Sequence, residues 1–160
     1  MMKATGIVRR IDDLGRIVIP KEIRRTLHIR ESDPLEIFTD REGQVILKKY
    51  SPIGEMTTFA KQYAESLAQV SGHATLIADR DQFIAVSGGC KQLLNKSVSR
   101  QLEEKVNNRE TVIAAKGDRN YVNIAEDIAV DYAWQLITPI ICEGDIIGSV
   151  ILLENDGKSK

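Results

Sequence analysis

"DDLGRIVIPKEIRRTL", residues 12–27, decides how the first third of this chain is read. Two acidic residues begin a turn, and Gly15 supplies the backbone freedom that ends it. "RIVI" (16–19) is a short β-branched run that predicts a strand. Pro20 suits the first position of a helix, where its missing N–H costs nothing. "PKEIRRTL" (20–27) then gives about two helical turns, with Glu22 near the positive end and Arg24 and Arg25 near the negative end. Ile23 and Leu27, four apart, are expected to face inward, which leaves the arginines on the outer side.

Working outward, "KATGIVRRID" (3–12) predicts a strand before the turn. "PLEIFT" (34–39) and "QVILKKY" (44–50) predict two more around "DREG" (40–43), a hairpin turn with Gly43 at its end. Four strands and one short helix in about 50 residues lie near the lower limit of independent stability, so this unit is expected to lean on a second chain. "YSPIG" (50–54) reads as a linker, because Pro52 and Gly54 break either periodicity. The expected domains are therefore residues 1–52 and 53–160.

The second part has another pattern. In "EMTTFAKQYAESLAQVSG" (55–72), Met56, Ala60, Tyr63, Leu67 and Val70 recur at steps of three and four, predicting an amphipathic helix closed by Gly72. Ala60, Ala64 and Ala68 form another stripe, narrow enough to let the helix of a second copy approach. "HATLIA" (73–78) and "QFIAVS" (82–87) predict a hairpin around "DRD". "CKQLLN" (90–95) and "VSRQLEEKVNN" (98–108) predict short helices. "TVIAA" (111–115), "YVNIA" (121–125), "AWQLITPII" (133–141) and "IIGSVILLE" (146–154) predict strands, and "NDGKSK" (155–160) a frayed tail. The class is α+β: a β-rich unit followed by an antiparallel sheet with helices.

Charge separates the two parts. The net charge is −1, yet residues 1–52 hold 11 Lys+Arg against 8 Asp+Glu, a net of +3, and residues 53–160 carry −4. Within residues 1–30 the balance is 8 against 3. A basic surplus at one end points to a polyanion partner there. The chain is 42% hydrophobic and 28% charged, which excludes wholesale disorder. Cys90 and Cys142 fit no zinc spacing, and no apolar run approaches 18 residues, so a soluble cytoplasmic protein with reduced thiols and no metal or cofactor is expected.

Arg9, Arg10, Arg16, Arg24 and Arg25 fall in three segments that so small a unit must bring close together. All five are arginine, whose planar fork binds phosphate bidentately and reaches acceptors on guanine edges. A dimer places ten of them on one two-fold surface, which matches two half-sites on double-stranded DNA. A helix-turn-helix is the competing architecture, but only one short helix is available among strands.

"TGIVRRIDDLGRIVIPKEIRRTLHIRESDPLEIF" with "VILKKY" resembles the N-terminal domain of the AbrB-type transition-state regulators, swapped-hairpin DNA-binding proteins of spore-forming bacteria. The resemblance covers about residues 3–50. It implies two chains exchanging hairpins into one intertwined core, with DNA contacts from Arg9, Arg10, Arg16, Arg24 and Arg25. His28 stands where a glycine is expected after the helix. The order of elements in residues 53–160 resembles a GAF domain, a small-molecule sensor fold. The combination implies a transcription regulator acting late in spore formation, and the alanine stripe of the helix at 55–71, pairing copies apart from the N-terminal units, makes a tetramer the expected assembly. An unknown small-molecule effector is the further partner it implies. Thr75, Ser87, Cys90, Asn123 and Trp134 are the candidate lining of such an effector pocket. Two other classes are weighed: an antitoxin, since swapped-hairpin proteins serve there too, and a GAF-type methionine sulfoxide reductase using Cys90. The first normally carries a short disordered tail rather than a full core pattern, and the second needs a low-pKa thiolate with a resolving partner.

Overall fold

A computed structural model describes residues 2–155. The chain divides into two compact units, Met1–Tyr50 and Ser51–Lys160. The expected tail at 155–160 lies, beyond Asn155, outside the described residues.

In the first unit, α1 spans Lys21–Thr26, and β1 (Leu35–Thr39) pairs antiparallel with β2 (Val45–Lys49). Pro20 sits one residue earlier than its sequence suggests. It is the N-cap, with φ −58° and ψ 148°, and its carbonyl accepts the first helical hydrogen bond from the Arg24 N–H at 3.0 Å. The helix ends in a Schellman motif: the Ile29 N–H reaches the Arg24 carbonyl at 2.8 Å and the His28 N–H the Arg25 carbonyl at 3.3 Å. His28 takes the left-handed conformation itself, with φ +54°. The exit from α1 is then pinned to β2. Lys49 Nζ donates to the His28 carbonyl at 2.8 Å, and Asp33 Oδ2 accepts the Arg30 N–H at 2.8 Å.

The strands expected at 3–12 and 16–19 do not form within the chain. A ladder needs a neighbour, and residues 2–11 and 16–19 have no strand beside them here. Among the described residues of this unit Pro20 alone is buried, while Val8, Ile11, Ile17, Val18, Ile37 and Val45 are exposed. Leu27, expected inward, is also exposed, and Ile23 is half-buried. An apolar pattern this regular has no core to enter in one chain.

The second unit is α+β. Its sheet has the order β4-β3-β7-β6-β5, all neighbours antiparallel: β3 Ala74–Ala78, β4 Phe83–Ser87, β5 Val112–Ala115, β6 Trp134–Cys142 and β7 Asp145–Glu154. Alternation of side chains gives the sheet two covered faces. On one, Leu76, Phe83, Ile137, Ile151 and Leu153 pack with Leu102 and Val106 of α3 (Arg100–Asn107). On the other, Ile77, Ile84 and Ala85 pack against Ala60 and Ala64 of α2 (Thr57–Ser71).

Two expectations for this unit are corrected. The alanine stripe of α2 lies against its own sheet, where small side chains allow close approach, so it is not free to meet a second helix. Of the apolar spacing read in α2, Ala60 alone is buried, while Tyr63 at 65% and Val70 at 89% are exposed, as is Phe59 at 57%. Residues 121–125 are not a strand either, apart from a bridge at Ala125. The buried Gln135 side chain takes the place of a ladder there. Its Oε1 accepts the Val122 N–H at 2.8 Å, and its Nε2 donates to the Val122 carbonyl at 2.9 Å.

Ser99 caps α3, its hydroxyl accepting the Leu102 N–H at 3.0 Å and donating to the Asn123 carbonyl. Ser99→Ala removes both bonds at a buried position and is expected to cost about 1–2 kcal/mol. A fall in the urea midpoint at unchanged slope measures it.

Candidate nucleic-acid interface

All five candidate arginines are exposed. The loop at 12–16 organises the first three. The Asp12 N–H donates to the Arg16 carbonyl at 3.0 Å and the Gly15 N–H to the Asp12 carbonyl at 3.1 Å, with Gly15 at φ +76°. This closes a hairpin-type loop, so residues 9–11 and 17–19 leave it as two arms. Arg9 and Arg10 stand on one arm, and Arg16 stands where the other begins. Arg9 Nη1 donates to the Val8 carbonyl beside it at 3.3 Å.

Arg16 is held more firmly. Asp12 Oδ1 accepts the Leu14 N–H at 3.0 Å and the Arg16 N–H at 2.8 Å, and Asp12 Oδ2 accepts Arg16 Nε–H at 2.7 Å. The Arg16 backbone and side-chain hydrogen bonds, in that order, hold the Asp12 carboxyl below its ordinary range. On α1, Arg24 Nε donates to the Ile19 carbonyl at 3.1 Å, tying that guanidinium to the backbone ahead of Pro20. Arg25 follows it in the last helical turn. By sequence alone Asp12 is a turn starter. The spacing Asp-x-x-Gly-Arg was the available signal that it also holds Arg16.

None of the candidate pocket residues of the second unit lines the cleft described below. Thr75 and Ser87 are cross-strand partners on β3 and β4, and Thr75 is fully buried. Cys90, shortly after Ser87 in the chain, is buried at φ +58°, with its thiol against the Tyr132 hydroxyl. Asn123 is exposed, its Nδ2 donating to the Ala125 carbonyl at 3.0 Å. Trp134 is half-buried, its ring 6.0 Å from that of His73. A small cleft lies elsewhere, lined by Asp79, Leu102, Val106 and Ser149 among others; its volume of about 10 Å³ is room for one water. Burial pushes the Cys90 thiol up, and burial with the neighbouring thiol pushes Tyr132 up. A thiol held protonated is a poor nucleophile.

Comparison with known proteins places both units. Residues 55–160 match the family described as stage V sporulation protein T C-terminal, transcription factor, and residues 8–55 that described as antidote-toxin recognition MazE, bacterial antitoxin. The chain is 56% identical over 156 residues to stage V sporulation protein T of Bacillus subtilis (strain 168), covering 97% of this chain and 86% of that one. It is 43% identical over 108 residues to the transition state regulatory protein AbrB of the same organism, covering 68% and 93%. The solution structure of the N-domain of the transcription factor abrB shares 63% identity, covers 32% of this chain and 98% of that one, and has a TM-score of 0.30.

Proposed function

This chain belongs to the stage V sporulation protein T family, and on that premise we propose that it is a DNA-binding transcription regulator of late sporulation genes, acting in the cytoplasm at the nucleoid. One observation carries the reading. A unit that buries almost nothing of its own presents Arg9, Arg10, Arg16, Arg24 and Arg25 on loop and helix, with Arg16 held by the Asp12 carboxylate and Arg24 by the Ile19 carbonyl. Two such units, sharing one core made from Val8, Ile11, Ile17, Val18 and the exposed side of the β1–β2 hairpin, form a ten-arginine surface for a two-fold DNA site. The domain division at residue 52 follows the same logic, with DNA contacts confined to the first part. Fluorescence anisotropy on labelled duplex DNA tests it directly; no binding at low salt ends the reading.

The second unit, GAF-like in this reading, sets how many copies assemble. The outer stripe of α2, Phe59, Tyr63 and Leu67 with Met56 and Val70, is apolar surface that a second α2 would cover, giving a tetramer when combined with the N-terminal pairing. Sedimentation is expected to show a tetramer for the natural chain and a dimer for Leu67→Glu. A small-molecule effector enters the reading as a ligand near Thr75, Ser87, Cys90, Asn123 and Trp134. An antitoxin role is supported by the match at residues 8–55, but the well-packed second unit is unlike a tail that orders on its toxin.

A further inference from the structure

We infer that Asp12 is a positioning residue that aims Arg16 at a base edge, so that Arg16 confers DNA sequence preference rather than general phosphate affinity. The inference rests on the DNA-binding reading above. Its ground is a comparison the chain offers with itself. Residues 40–44 form the same kind of loop as residues 12–16. Asp40 Oδ1 accepts the Glu42 N–H and the Gln44 N–H, each at 2.9 Å. The Asp40 N–H donates to the Gln44 carbonyl at 3.2 Å, and Gly43 has φ +81°. Building this loop therefore takes one side-chain oxygen and a glycine three residues on. The Gln44 side chain turns to Glu42 instead, at 3.0 Å.

The loop at 12–16 adds one thing: the second oxygen of Asp12 holds Arg16 Nε. An exposed ion pair alone orders little, because two mobile side chains must meet. Here the carboxylate is already fixed by two backbone amides, so only the arginine loses freedom. With Nε engaged, the Nη1–Nη2 edge of the fork faces away from Asp12, and a fork ordered beforehand loses less entropy on docking. Charge points to the same role. Asp12 neutralises Arg16, which weakens its pull on phosphate and its share of counterion release. A residue serving only phosphate affinity gains nothing from a paired carboxylate. A residue reading guanine O6 and N7 gains the geometry.

The test uses the full chain and two duplexes: one selected from a random pool by the natural protein, and a scrambled duplex of equal length. D12N keeps the loop-forming oxygen and removes the charge, so Leu14 and Arg16 amides should stay protected from exchange. Affinity for the scrambled duplex is expected to hold or rise, with a steeper salt dependence, while the preference for the selected duplex falls about tenfold. R16K, which keeps the charge without the fork, should lose the same preference, and D12N/R16K should lose no more than R16K alone. An unchanged preference in D12N, equal loss on both duplexes, or additive losses in the double variant overturns the inference while leaving DNA binding intact. A natural protein without salt-dependent binding to either duplex overturns both.

Discussion

Between 50 and 200 mM salt, the affinity of this chain for duplex DNA is expected to fall by roughly 10³- to 10⁵-fold. The size follows from counting cations on a two-chain surface. Arg9, Arg10, Arg16, Arg24 and Arg25 are all exposed, and none of them is walled off in a core. Two copies bring ten of them to the duplex, about eight to phosphates with Arg16 of each chain on a base edge, and each neutralised phosphate releases condensed counterions, so the logarithmic salt slope tracks their number. Pairing of Arg16 with Asp12 trims that slope, which is why D12N should steepen it. Anisotropy titrations across the salt range give the slope. Binding that stays flat would remove the polyelectrolyte basis of the proposed function.

Gly148→Ala is expected to destabilise the second unit by about 3 kcal/mol or more, at or beyond the upper end of ordinary overpacking. Gly148 lies on β7, with β6 on one side and β3 on the other. A Cβ there would stand 2.1 Å from the Ala78 carbonyl oxygen and 3.3 Å from the Asp79 Cα. Both are backbone atoms, so no side chain can swing aside. Relief requires the β3–β7 pair to open where Ala78 faces Ser149. That pair also carries Leu76, Ile151 and Leu153, so the damage spreads into the core. Urea unfolding measures it, and a midpoint equal to that of the natural chain would show that the two strands do not meet this closely.

What could be read from the sequence was set by whether the deciding partner is local. The β1–β2 hairpin and its turn were legible, because Asp40 and Gly43 settle them within five residues. The α1 helix was legible too, with Pro20 displaced by one position and His28 doing a glycine's work at its end. The runs at 3–12 and 16–19 have strand composition, but a strand is completed by its neighbour, and a single chain supplies none. For α2 the spacing contained two stripes, and periodicity alone could not rank them. The small alanines won the sheet because they let the helix lie close, leaving Phe59 and Tyr63 outside. Residues 121–125 alternate like a strand, yet one buried amide, Gln135, satisfies Val122 at both ends. In the candidate site the arginines were visible as a group. The hold of Asp12 on Arg16 was not, because a carboxylate in a turn shows only one of its two uses in sequence.

In the proposed function the five arginines of each chain act as one DNA-binding surface. Its most direct test is the affinity for duplex DNA, at low salt, of a chain with Arg9, Arg10, Arg16, Arg24 and Arg25 all replaced by glutamine. Circular dichroism and sedimentation should match the natural chain, since all five side chains are exposed. This folded variant is expected to bind no duplex DNA at concentrations where the natural chain saturates. A variant that binds as tightly as the natural chain would contradict the proposed function.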